Sequence, residues 1–179
     1  KMTENDSHTL IPKLSFRFNP GDMKDHSEDE RRINTSNIFD LNRFGIDDSF
    51  ESGYSVTIGV DYTTKNLADD DNYLKLKLAT VMREDHENKI PSQTSLNKKN
   101  SNLFGSMDYK ISELINIDYN FAVDNKYENF EYNSFGVDLS LNNFVTRFNF
   151  LEEKNELGSA NFLENNTKYN INDKNSFSF

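Results

Sequence analysis

Apolar and polar residues alternate with a period of two along much of the chain. In the clearest run, residues 54–62, Val56, Ile58 and Val60 alternate with Ser, Thr, Gly and Asp. Because successive side chains of a strand point to opposite faces, this pattern predicts a β-strand with one apolar and one polar face. The alternation recurs along the chain and begins again near Ser176, which indicates eight strands and the start of a ninth.

Helical periodicity is weak, and the connections between strands differ in length. No window of a dozen residues keeps an uninterrupted apolar stripe at i, i+3, i+4 and i+7, so crossover helices are not expected. Long loops at 19–51 and 85–100 alternate with tighter connections such as Ser112 to Leu114. The sequence therefore predicts an all-β fold, an antiparallel meander of about eight to nine long strands.

Strand and loop lengths favour a barrel that spans a membrane. Several runs cover about 9 to 13 residues, whereas soluble strands average about 5 to 6 and tilted membrane strands need about 9 to 11. Long loops at one end and short turns at the other are typical of outer-membrane barrels. We expect residues 1–9 to be a leading loop and residues 10–179 to be part of a transmembrane β-barrel. A soluble β-sandwich with its apolar face inward shows the same alternation and stays open as an alternative.

The parity of the apolar positions restricts how neighbouring strands pair. Leu141 and Phe144 face each other only across a two-residue turn at Asn142-Asn143, for which we expect type I′ geometry. The same reasoning predicts Thr64 opposite Asn72, an ion pair between Asp61 and Lys75, Ile111 opposite Ile115, and a β-bulge near residues 164–167.

Composition narrows the classes of function. The 30 acidic and 20 basic residues give a net charge of −10, which repels phosphate backbones, so we expect no nucleic-acid partner. The sequence has no cysteine, which excludes a disulfide, a thiolate zinc site and a cysteine nucleophile within it. Only 35% of the residues are hydrophobic, but 15 Phe and 8 Tyr provide apolar surface for a folded chain.

The most distinctive segment is residues 37–62. It combines an Asn-Arg-Phe-Gly stretch at 42–45, acidic residues, and a glycine-containing strand, and a Pro-containing strand at 11–18 precedes it. These features resemble the C-terminal barrel of the LptD family of lipopolysaccharide-assembly proteins of the bacterial outer membrane. Residues 161–169 also resemble a barrel segment of that family.

The resemblance implies a large barrel that receives lipopolysaccharide and releases it into the outer leaflet, with an LptE-like lipoprotein plugging its lumen. The chain would then be a middle section of the barrel wall within a longer protein. It would act as a transport component without a catalytic site or a cofactor. Another outer-membrane barrel, such as a porin or a receptor, is the alternative within the same fold.

Two groups of residues are candidates for function. In the motif loop, a charged cluster could contact lipid A phosphates, but a loop folded on itself by arginine–carboxylate pairing is the favoured interpretation. On the strands, charged residues on the polar faces are expected to line the lumen, as a hydrated wall with cross-strand ion pairs or as contacts to the plug or the substrate. The motif-loop residues are Asn42, Arg43, Phe44, Gly45, Asp48, Glu51 and Gly53. The candidate lumen-facing residues are Lys13, Arg17, Asp61, Lys75, Lys77, Arg83 and Arg147.

Other polar clusters favour ordinary surface roles. The three histidines, His8, His26 and His86, lack the spacing of a metal site, and no Ser-His-Asp order suggests a nucleophile. The acidic stretch at 22–30 matches no ordered calcium loop, so we interpret it as solvated. We expect no metal.

Overall fold

Nine antiparallel strands form a single sheet in the computed structural model, which describes residues 6–68, 72–154, 159–172 and 175–178. The strands pair in chain order, and within the described residues β1 and β9 are not paired with each other. One short 3-10 turn, Ser92–Thr94, is the only helical element in this described part. The all-β antiparallel meander predicted from the sequence is confirmed, and the open sheet fits a section of a β-barrel. The strands are β1 (Asp6–Asn19), β2 (Gly53–Asn66), β3 (Tyr73–Arg83), β4 (Leu103–Ser112), β5 (Ile115–Val123), β6 (Phe130–Leu141), β7 (Phe144–Glu153), β8 (Ala160–Asn172) and β9 (Asn175–Ser178).

The strands are long, as the alternating runs predicted. The first eight contain 9 to 14 residues each. β1 already begins at Asp6, so residues 6–9 of the expected leading loop belong to a strand, and residues 1–5 lie outside the described part. The two long connections, residues 20–52 (loop L1) and 84–102 (loop L2), leave the same end of the sheet.

The register divides the side chains between two faces. Leu76 is paired with Tyr62 on one side and with Met107 on the other, so apolar positions of neighbouring strands coincide. We call this the apolar face; Val56, Ile58, Phe121 and Phe148 also belong to it by register. The opposite face carries the polar positions and the packed loops, and we call it the loop face. By register it includes Thr57, Lys75, Asn120 and Arg147.

The β6–β7 hairpin has the predicted pairing but not the predicted turn type. Leu141 is opposite Phe144, with Asn142-Asn143 between them. Asn142 has a φ of +50°, whereas Asn143 is not in the positive-φ region. Because a type I′ turn needs positive φ at both central residues, the type I′ prediction is wrong.

The β2–β3 register differs from the prediction by two positions. Thr64 is opposite Leu74 rather than Asn72, and Asp61 is opposite Lys77. The amide of Asn66 donates to the carbonyl oxygen of Asn72 at 3.0 Å, which extends both strands beyond the predicted end of the ladder. Parity alone fixes a register only to a multiple of two, so it could not detect this extension. The predicted Asp61–Lys75 pair is therefore wrong.

The β4–β5 hairpin follows the predicted ladder until its last pair. Lys110 is opposite Asn116, but a bulge then places Ser112, not Ile111, opposite Ile115. The hydroxyl of Ser112 accepts a hydrogen bond from the amide of Leu114 at 3.2 Å, which stabilises a two-residue turn. The predicted Ile111–Ile115 pair is therefore wrong.

The β7–β8 ladder is regular, so the predicted bulge near 164–167 is wrong. The ladder has no register shift between its first pair, Phe144 with Tyr169, and its last pair, Glu153 with Ala160. Ala160 and Phe162 consequently lie on the loop face, and polar residues of β8 lie on the apolar face. Those polar residues are satisfied locally, because Thr146, Asn165 and Thr167 form a hydrogen-bonded cluster with Oγ1 atoms of the two threonines 2.7 Å apart.

We predict that Gly105→Ala destabilises the sheet by about 1–3 kcal/mol, because the added methyl group would overpack the apolar face. An ideal Cβ at Gly105 would lie 2.1 Å from the ring of Phe121, which is directly opposite on β5. Urea unfolding of the protein in lipid vesicles measures the change. Gly21→Ala is the control, because its Cβ would meet only the side chain of Asn19, at 3.1 Å. Equal unfolding midpoints for the two variants would contradict the packing argument.

Candidate functional site

Loop L1 crosses the loop face of the sheet from β1 to β7. Near β1, Nη2 of Arg17 donates to the carbonyl oxygen of Asp40 at 2.5 Å. Over β4, the hydroxyls of Thr35 and Ser106 are 2.7 Å apart. Over β7, Arg32 forms an ion pair with Glu153. The loop therefore covers the sheet, and is anchored at three widely separated strands.

The hydrophobic core of the protein lies between L1, L2 and the loop face. The side chain of Ile38 in L1 is fully buried, as are Ile90 and Leu96 in L2. Burying such a side chain contributes about 1.5–3 kcal/mol, so apolar burial is a main source of the affinity of the loops for the sheet. Other members of the core are Met23, Ile33, Phe44, Ile46, Ala79, Val81, Phe104 and Ala122.

Loop L2 packs on L1 through polar contacts. The amide of His26 donates to the carbonyl oxygen of Lys89 at 2.9 Å. The hydroxyl of Ser52 donates to Oε2 of Glu87 at 2.5 Å. Nζ of Lys89 lies 2.5 Å from Oδ1 of Asp22, and this contact lowers the pKa of Asp22 and raises the pKa of Lys89. The two loops thus form one layer over the sheet.

Three arginines converge on one buried carboxylate beneath this layer. Glu51 accepts hydrogen bonds from Nε of Arg43 at 2.7 Å and from Nη2 of Arg43 at 2.5 Å, a bidentate pair. Arg83 also donates to Glu51, and Nη1 of Arg17 approaches it at 3.4 Å. The side chains of Arg43, Arg83 and Glu51 are at most 4% exposed. We call these four residues the arginine cluster.

The polar face of β2 completes the arginine cluster. Nη1 of Arg43 donates to the hydroxyl of Thr57 at 3.2 Å, and Nη2 lies 3.3 Å from the hydroxyl of Ser55. Nη2 of Arg83 donates to the carbonyl oxygen of Ser52 at 2.5 Å. Buried charges need such partners, since each unpaired one would cost several kcal/mol. The cluster therefore joins L1 to β1, β2 and β3 at fixed positions.

The motif-loop residues divide into buried and peripheral members. Arg43 and Glu51 form the predicted arginine–carboxylate pair. Asn42 closes a turn, because its side chain accepts from the amide of Ile46 at 3.0 Å and donates to the carbonyl oxygen of Ile46 at 2.8 Å. Asp48 is outside the cluster and pairs with Lys24 at 2.7 Å. Of the other three, Phe44 belongs to the hydrophobic core, and Gly45 and Gly53 have φ values of +63° and +80°.

All seven charged strand residues named from the sequence lie on the loop face by register, and several of them form ion pairs. Nζ of Lys13 is 2.5 Å from Oδ2 of Asp61 across β1 and β2. Arg147 donates to Asp138 on β6, and its Nη2 lies 2.6 Å from Oδ1 of Asp118 on β5. The remaining members are placed as follows: Arg17 and Arg83 in the arginine cluster, Lys75 at 3.8 Å from Asp108, and Lys77 opposite Asp61. Their exposure to a lumen stays a prediction.

The carboxylate partners of Arg147 and the anchor formed by Arg32 were not predicted from the sequence. The alternation could have placed Asp118 and Asp138 on the polar face, since both are even-numbered on strands whose apolar positions are odd. Gly136 lies between them, and a Cβ there would approach Nη2 of Arg147 to 2.7 Å. No local pattern indicates the Arg32–Glu153 pair, which joins residues far apart in sequence.

The described residues contain no group of three or more His, Cys, Asp or Glu side chains that could hold a metal ion. Nδ1 of His8 lies 2.9 Å from the hydroxyl of Tyr62. Nδ1 of His26 lies 3.0 Å from Oδ2 of Asp29 within L1. Within the described residues, no helix is long and apolar enough to cross a membrane.

Comparison with known families matches residues 2–175, nearly the whole chain, to the family model described as LptD, LPS transport system D. The chain belongs to the LptD family. LptD proteins act in lipopolysaccharide transport and assembly at the outer membrane, and the family is not an enzyme family. No curated protein matches the chain significantly. For this LptD chain, loop L1 with its arginine cluster is the candidate functional site on the loop face.

We predict that Glu51→Gln weakens the packing of L1 by about 3–5 kcal/mol, because it leaves three arginines with no carboxylate between them. Urea unfolding in lipid vesicles and protease cleavage within L1 measure the effect. Asp48→Asn is the matched control, since Asp48 is an acidic residue of the same loop in an exposed pair with Lys24. If both variants resist protease as the unchanged protein does, the arginine cluster does not hold the loop.

We also predict that the side-chain carboxyl of Asp22 titrates below its ordinary pKa, because Lys89 donates to the carboxylate. Because the pKa of Asp22 is lower in the folded state, this contact contributes to the free energy of unfolding at pH values above the pKa of the unfolded state. The contribution is lost as the pH falls through the pKa of the folded state. Carbon NMR of the Asp22 carboxyl measures the midpoint. Lys89→Gln should move the midpoint back towards the ordinary value, and an unchanged midpoint in that variant would show that Lys89 is not the cause.

Proposed function

We propose that the nine strands form part of the wall of a lipopolysaccharide transport barrel, with the apolar face towards lipid and the loop face towards the lumen. In this arrangement the chain has no catalytic residues and uses no cofactor. Its role is to enclose the path of the lipid and to hold L1 inside that path.

The exposure of large apolar side chains on one face is the observation that carries this proposal. Phe16 is 76% exposed and Leu163 is 75% exposed, although both lie on strands. Such a surface is unfavourable in water by about 25 cal/mol per Å² and is compatible with contact to hydrocarbon. Further exposed members of the apolar face are Leu10, Leu14, Ile58, Met82, Phe135, Phe148 and Ile171.

The opposite face supports a hydrated lumen. Several of its charges form pairs across neighbouring strands, as in the contacts of Lys13 with Asp61 and of Arg147 with Asp118. Polar side chains facing inward and apolar side chains facing outward are the usual division in transmembrane barrels. A soluble β-sandwich would need a second sheet over the apolar face, and all nine described strands belong to one sheet. The family match favours this transporter over a porin or a receptor.

Two partners follow from the proposal. Lipopolysaccharide is the substrate, and an LptE-like lipoprotein is the plug of the lumen. Loop L1 packs on the loop face over β1 to β4 and only its tip reaches β7, so we propose that a plug contacts the remaining loop face of β5 to β8. The contact of Arg147 with Asp118 and Asp138 provides polar surface there.

The orientation is testable with single cysteines, because the sequence has none. We predict that a fluorophore at Ile58→Cys or Phe148→Cys in the intact outer-membrane protein is strongly quenched by spin-labelled lipids, since both residues lie on the apolar face. At Lys75→Cys and Asn166→Cys, on the loop face, quenching should be weak and a water-soluble maleimide should react. Equal quenching at all four positions would contradict the wall assignment.

A further inference from the structure

A small cavity lies where the tip of L1 crosses β5 and β6. The cavity measures 190 Å³ and is lined by Arg32, Ile33 and Asn34 from the loop and by Asn120, Ala122 and Tyr132 from the strands. Its roof is fixed at both ends, by the Thr35–Ser106 hydrogen bond over β4 and by the Arg32–Glu153 ion pair on β7. We call it the arch cleft.

Polar groups with unused hydrogen-bonding capacity line the arch cleft. Asn120 and Tyr132 both line the cleft, and their side-chain amide and hydroxyl form no hydrogen bond with the described residues. Oδ1 of Asn34 accepts from the amide and the hydroxyl of Ser36 at 2.8 and 2.6 Å, so its NH₂ group stays available. Together these groups present both donors and acceptors to one small volume.

The arch cleft has no net charge to attract an anion. The one basic residue that lines it, Arg32, is already paired with Glu153, and its guanidinium lies over the ring of Tyr132 at 5.9 Å from the centroid. A phosphate group would find no unpaired cation in the cleft. A neutral ligand with several hydroxyl groups would find amide and phenol partners.

Apolar surface completes the cleft. Ile33 and Ala122 are buried core residues that also line it, and the ring of Tyr132 packs against that core. A pyranose ring has hydroxyl groups around its edge and C–H groups on its faces, so it needs polar partners and apolar contacts side by side. The volume is suited to one ring rather than to an acyl chain.

We propose that the arch cleft binds one neutral sugar ring of a saccharide. This inference rests on the proposed function, which puts the loop face in the path of lipopolysaccharide, and it assigns the cleft to the saccharide part of that substrate. Asn120 and Tyr132 would form hydrogen bonds to ring hydroxyls, with Asn34 closing the cleft from the loop side. The cleft lies towards the end of the sheet from which L1 and L2 leave.

The test uses the intact protein in detergent and the core oligosaccharide released from lipopolysaccharide by mild acid. Saturation-transfer NMR and titration should show weak binding of this oligosaccharide, and Asn120→Leu should weaken it about tenfold, the effect of one lost hydrogen bond. Tyr132→Phe should weaken it less, and Tyr132→Ala more. Asn116→Leu is the matched control, because Asn116 is the same residue type on the same face of β5 and lies outside the cleft.

Three outcomes would overturn the proposal: no binding of the oligosaccharide, equal binding by the unchanged protein and Asn120→Leu, or an equal loss in Asn116→Leu. Lipid A alone and inorganic phosphate should bind without dependence on Asn120; dependence of either one would assign the cleft to the anionic part of the lipid instead. Lipid quenching at Ile58→Cys is measured in the same variants. If quenching persists while oligosaccharide binding fails, the sugar site is wrong and the wall assignment stands.

Discussion

The pleat of the β-strand is the constraint on which the rest of this structure depends. It gives each side chain only two directions, so a strand with alternating residues has one apolar and one polar face. Most soluble β-proteins cover the apolar face with a second sheet. Here the apolar face stays open over all nine described strands, and the buried core is built on the other face, against L1 and L2.

A core on the polar face requires that polar groups be buried with it. The strand residues that contact the loops therefore include apolar residues, such as Ala79 and Phe104, hydroxyl-bearing residues, such as Thr57, and the arginines of the cluster. Apolar burial is non-directional and would allow L1 to slide. The bonds of Glu51 to the arginines are directional, so we infer that the arginine cluster determines where the loop lies while the core supplies most of the stabilisation.

Features that depend on local periodicity were predictable, and features that depend on long-range contacts were not. Alternation gave the strands and their faces, and parity gave the allowed registers, but hydrogen bonds of Asn66 and Ser112 in the turns decided which register and which closing pair were formed. The pairing of Arg43 with Glu51 was predictable because both belong to one loop. The contribution of Arg83 was not, because it comes from a strand 32 residues further along the chain. The apolar residues of L1 have irregular spacing, so no periodic signal indicated that this loop covers the sheet.

The division of the sheet also bears on how a wall could handle an amphiphile. In the proposed orientation, hydrocarbon meets only the apolar face, whereas the loop face presents ion pairs that are already satisfied, such as those of Arg147. A wall with satisfied charges has little net attraction for phosphate, so it allows passage without strong retention. Stronger contacts then need polar groups without internal partners, and on the loop face Asn120 and Tyr132 provide such groups in the arch cleft. The polar side chains that the fold leaves unpaired therefore determine where the wall can bind the amphiphile, and the satisfied ion pairs determine where the amphiphile passes without strong binding.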